Sequence, residues 1–123
     1  MVQPRPFPEP DAPDGLDGTV LAGLRADLGA ELFLRLARQA LAAAPEELQQ
    51  LHKAATDARP AGVASAAHRL SGLLGQFGAI AVQDVAATVE TRPDDAAARA
   101  ALAAAVARAC EALSAWLEAG EEG

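Results

Sequence analysis

Apolar residues return along most of this chain with the period of an α-helix. Val20, Leu21, Leu24 and Leu28 make a first short face, which Asp17 is placed to cap and Gly29 to end. From Ala30 a second run follows through Leu32, Phe33, Leu36, Ala40 and Leu41. Pro45 interrupts it, and it resumes with Leu48, Leu51 and Ala55. This spacing predicts one long kinked helix or two nearly collinear ones. Pro60 suits the first turn of the next helix, whose buried stripe is Val63, Ala67, Leu70, Leu74 and Phe77, with Gly78 loosening its end. Val82, Val85, Ala86 and Val89 mark a shorter helix. After a turn from Thr91 to Asp95, a last helix to about Leu117 carries Leu102, Val106, Ala109, Leu113 and Trp116.

No stretch alternates with the two-residue period of a strand, and short connections between long helices favour antiparallel neighbours. The expected fold is all-α: an up-and-down antiparallel four-helix bundle with an additional short N-terminal helix. Residues 1–15 read as a disordered arm, because Pro4, Pro6, Pro8, Pro10 and Pro13 forbid a helix there. Residues 16–118 form the bundle and 119–123 a frayed acidic tail.

Composition narrows the function. Aromatics are 3% of 123 residues and alanine supplies much of the 51% hydrophobic content, which favours helices over sheet. The net charge of −7 disfavours nucleic-acid and membrane-surface partners. The single cysteine, Cys110, cannot form an internal disulfide, which fits a reducing compartment, and it reads as a small core residue. The stretch from Met1 to Pro13 has no apolar core of the signal-peptide kind. The least polar stretch, Ala61 to Val82, is broken by His68, Arg69 and several glycines and makes a poor membrane span. The expected setting is the cytoplasm, as a monomer.

Candidate chemistry concentrates around His68. It follows Ala67 by one position, so it lies about 100° from the core stripe, at its edge. Its own face carries only small residues: Ala61, Ala64, Ser65, Ser71, Gly72, Gly75 and Ala79. A glycine inside a helix costs about 1 kcal/mol relative to alanine. Two such losses in an alanine-rich chain ask for a reason, and access of a partner to the imidazole is one. Tight helix packing is the other. Imidazole titrates near neutrality, so a neutral nucleophilic nitrogen is available while the second nitrogen is held. His52, beside Leu51, reads as a surface residue. His52, His68 and Cys110 lack metal-ligand spacing, so no metal site is expected in this chain. Gly72, Gly75 and Gly78 do not make a dinucleotide fingerprint. Asp94 and Asp95 read as helix-start charges.

The run Ala66-Ala67-His68-Arg69-Leu70-Ser71-Gly72-Leu73-Leu74-Gly75-Gln76-Phe77-Gly78-Ala79 resembles the signature of the histidine-containing phosphotransfer family. Ala67, His68, Leu70, Gly72, Gly78 and Ala79 match it. Leu28-Gly29, Pro45-Glu46 and Val89-Glu90 extend the resemblance from about Leu16 to Leu117. The family usually places lysine three residues after the histidine, where this chain has Ser71. The resemblance implies a phosphocarrier without kinase activity. It would accept a phosphoryl group on His68 from a receiver-domain aspartate and pass it to another receiver, with a hybrid histidine kinase as a further partner. It would bind no cofactor itself, Mg²⁺ being held by the receiver. Ser65, Ala64, Ser71, Gly72, Gly75 and Gln76 would then touch the phosphoryl group or the partner, and Leu21 or Leu24 would belong to a docking patch. Two rivals stay open at this point: a helical adaptor that never carries phosphate, and the phosphoacceptor domain of a chemotaxis-type kinase.

Overall fold

The computed structural model describes residues 15–122, with no side-chain description beyond 119. The expected disordered arm, apart from Gly15, and the last residue lie outside the described residues. Five helices follow one another: α1 (Gly18–Leu28), α2 (Ala30–Thr56), α3 (Pro60–Gly75), α4 (Ile80–Thr91) and α5 (Ala96–Glu122). No strand occurs among the described residues. Each helix from α2 to α4 packs on its successor, α5 returns to α2, and α1 lies on α2.

Local chemistry sets the ends. Asp17 Oδ1 accepts from the N–H groups of Thr19 (2.9 Å) and Val20 (3.3 Å), capping α1. Gly29, at φ 87°, donates to Arg25 O at 2.8 Å and lets the chain turn directly into α2. Pro45 sits inside α2, which continues as one helix; its missing N–H leaves one carbonyl of the preceding turn without a helical partner. Asp95 Oδ1 accepts from Ala98 N at 3.1 Å at the start of α5. That helix does not end near Leu117 but runs on to Glu122, so the expected C-terminal tail is largely helical.

The core has two clusters. One joins α2, α3, α4 and α5 through Leu51, Val63, Leu70, Leu74, Val82, Val89, Leu102 and Val106. The other joins α1 to α2 and α5 through Leu21, Phe33, Phe77, Leu113 and Leu117, with Leu16 and Leu73 packed against both. Phe33 meets the edges of Phe77 and Trp116 at centroid distances of 5.8 and 5.6 Å. The expected stripes of α3 and α4 are buried, with Val85 half-buried. On α1 and α2 the reading needs correction at two positions. Val20 and Leu32 are exposed, while Ala37, Ala44 and Ala54 take the buried positions on α2. At Gly62, an added Cβ would stand 3.0 Å from the Ala54 Cβ, so small residues set the close approach of α3 to α2.

The stretch long and apolar enough to span a membrane by composition is Ala96–Ala119 rather than Ala61 to Val82. Leu102, Val106, Ala109 and Leu113 place it in the core, and a core helix meets the same criterion.

Candidate functional site

Helix α3 starts with Pro60 and buries Val63, Ala66, Ala67, Leu70 and Leu74 between its neighbours. His68 sits midway along it, next to the buried Ala67, and its side chain is 78% exposed. The stripe fixes the rotation of the helix, and that rotation turns the imidazole outward. Its Nδ1 lies 3.3 Å from Oε1 of Glu90, a half-buried carboxylate on α4. The other ring nitrogen, Nε2, makes no hydrogen bond to the described residues.

The surroundings of His68 are small, as the sequence suggested, but not uniformly open. Ser65 is exposed, Ala64 and Ser71 are half-buried, and an added Cβ at Gly72 meets nothing within 4 Å. Gly75 is different. A Cβ there would fall 2.8 Å from Cδ and 2.9 Å from Cγ of Gln83, which lies across the glycine from α4. The space expected at Gly75 for a partner is therefore taken by a side chain of this chain. Ala79 leaves the face altogether: it precedes α4 and is fully buried. Gln76 caps α3, is exposed, and donates from Nε2 to Leu73 O at 3.0 Å.

Two charges near the site have fixed partners. Arg69 Nε is 2.8 Å from Glu47 Oε1 on α2, so its guanidinium faces away from His68. Glu90 faces His68 itself. Position 71, where a cation would be expected from the resemblance, holds a neutral hydroxyl.

The docking patch on α1 requires correction. Leu21 is fully buried beside Phe33 and Phe77 and cannot meet a partner, and Leu24 is half-buried against the same cluster. The first-helix stripe points inward because Asp17 N donates to Gly78 O at 3.0 Å, tying the start of α1 to the α3–α4 loop. Gly78 has φ 83°, and a Cβ there would stand 2.9 Å from Asp17 N.

Sequence reasoning named Glu90 only within the resemblance, not as a neighbour of His68, and did not single out Gln83. Both come from α4, and no spacing within α3 reports a neighbour contributed by another helix. His52 is exposed, as expected. Among the described residues no group of three or more His, Cys, Asp or Glu side chains is placed to hold a metal ion. Cys110 is half-buried, and burial pushes its thiol pKa up.

An exposed imidazole midway along a bundle helix, with the small residues Ser65, Ser71 and Gly72 on its face, leaves room for a second protein to reach it, as in a helical docking module. A family model for the Hpt domain matches residues 35–116, two thirds of the chain, and the chain belongs to that family. Hpt domains are phosphotransfer modules of two-component signalling, carriers rather than kinases, and their partners are receiver domains. Neither the curated proteins nor the solved structures compared with the chain include a significant match.

Proposed function

We propose that this protein is a phosphorelay intermediate in which His68 accepts a phosphoryl group from a receiver aspartate and passes it to a second receiver. The observation that carries the reading is the exposed imidazole with one nitrogen beside Glu90 and the other facing solvent. The Glu90 carboxylate favours the tautomer with its proton on Nδ1, which leaves the lone pair on Nε2. Nε2 attacks the phosphorus of the aspartyl phosphate. The N–P bond forms as the P–O bond to the aspartate breaks, and the aspartate leaves as a carboxylate. The ring then carries positive charge next to Glu90. Outward transfer reverses these steps on another receiver.

The receiver holds the Mg²⁺ and supplies most of the charge that steadies the phosphoryl oxygens. Gly72 leaves room for it, and Ser65, Ala64, Ser71 and Gln76 line the approach. The phosphoryl donor chain begins at a hybrid histidine kinase. Helices α2 to α5 are the antiparallel up-and-down bundle that holds α3 rigid, and the protein acts as a cytoplasmic monomer.

The test is transfer from receiver domains phosphorylated with acetyl phosphate. Acid-labile label should appear on the wild-type protein and not on His68→Gln. Equal labelling of both would overturn the assignment.

A further inference from the structure

Helix α3 spends a glycine at position 75, yet that glycine opens no space to solvent. Gln83 of α4 occupies it, with Cγ and Cδ 2.9 and 2.8 Å from where a Cβ would be. The atom nearest that point is the amide Nε2 itself, so the side chain lies along α3 with its amide end over the glycine rather than extending into solvent. Its hydrogen-bonding capacity is unspent, because the Gln83 side chain makes no hydrogen bond among the described residues. An unsatisfied amide already laid against the helix loses less freedom on binding than one free in solvent.

Its position connects it to His68. Gly75 follows His68 by seven residues, almost two full turns, so both face the same way about 10 Å apart along the axis. On α4, Gln83 lies between two other residues of one face, Ile80 three before it and Glu90 seven after. Glu90 meets His68, and Ile80 is 53% exposed, more than any other large hydrophobic side chain among the described residues. The face around His68 thus continues onto α4 as a carboxylate, an amide and an exposed aliphatic side chain.

We infer that Gln83, seated on Gly75, is a specificity-determining contact for the receiver, with Ile80 as the apolar anchor beside it. The amide reads backbone or polar groups of the receiver's docking face, and Ile80 covers an apolar patch next to them. This inference rests on the phosphorelay reading above.

The experiment is steady-state transfer from a receiver that exchanges phosphoryl groups with the wild-type protein, phosphorylated with acetyl phosphate. KM and kcat are read separately for wild type, Gln83→Ala, Ile80→Ala, Gly75→Ala and the Gly75→Ala/Gln83→Ala double variant. Gln83→Ala should raise KM about five-fold with kcat retained, the size of one lost neutral hydrogen bond. Gly75→Ala, which unseats the glutamine, should do the same. The double variant should be no worse than either, since both remove one feature. Ile80→Ala should also raise KM. Melting temperature, measured in parallel, separates this from packing. A lower melting temperature with unchanged KM would mean that Gln83 only joins α3 to α4 and would overturn the inference. Wild-type protein that takes no phosphoryl group from any receiver or from phosphoramidate overturns the phosphorelay reading and this inference with it.

Discussion

Ser71 replaces a cation with a hydroxyl one turn from an imidazole that already faces Glu90, and Arg69 is held by Glu47 at 2.8 Å. The carrier side of the site is therefore short of positive charge. Ser71→Lys should shift the transfer equilibrium toward phosphorylated His68 by about 0.5–1 kcal/mol, since the site is exposed and water screens the pair. The shift should shrink as salt rises. Measuring that equilibrium with one receiver at low and high salt checks it; no shift at either would show that residue 71 does not face the phosphoryl group. Gly72 has open space around it. Gly72→Leu should therefore leave the melting temperature unchanged or raised, because leucine favours a helix over glycine by up to about 1 kcal/mol, while receiver-dependent labelling falls. A strong loss of stability would contradict the open face. For His68→Gln, an exposed position predicts a stability change under about 1 kcal/mol by chemical denaturation.

At the scale of helices, the sequence was most informative where one face is buried by large residues. The stripes of α3 and α4 could be read because Val63, Leu70, Leu74, Val82 and Val89 all recur with helical period. On α2 the same reasoning chose Leu32 over Ala37, Ala44 and Ala54. Alanine is equally at home on either side of a helix, so hydrophobicity does not mark which alanines meet a neighbour. The first helix misled in another way. Leu21 was legible as apolar, but whether it meets the core or a partner depends on how α1 is tied to the α3–α4 loop, which is a tertiary fact. Leu21→Ala should cost about 2–5 kcal/mol in urea unfolding, as for a filled core position. A cost under 1 kcal/mol would return Leu21 to the surface. In α5, partial burial pushes the Cys110 thiol pKa up and limits reagent access to it. It should alkylate slowly at neutral pH in the native state and quickly in denaturant.

At the scale of the whole molecule, the described residues form a small helical scaffold with His68 exposed on α3. Its residues were legible from α3 alone, where the edge position of His68 predicts the observed exposure. What α4 adds could not be read from that helix, because Glu90 and Gln83 come from the packing of α4 on α3. The central claim is that the phosphoryl group travels on one nitrogen of one histidine. The most direct measurement is a ³¹P–¹⁵N correlation spectrum of protein labelled with ¹⁵N-histidine and phosphorylated by a receiver. The account predicts a single phosphoryl group on Nε2 of His68, absent from His68→Gln. A phosphoryl group on His52 or on a carboxylate, or none at all, would contradict it.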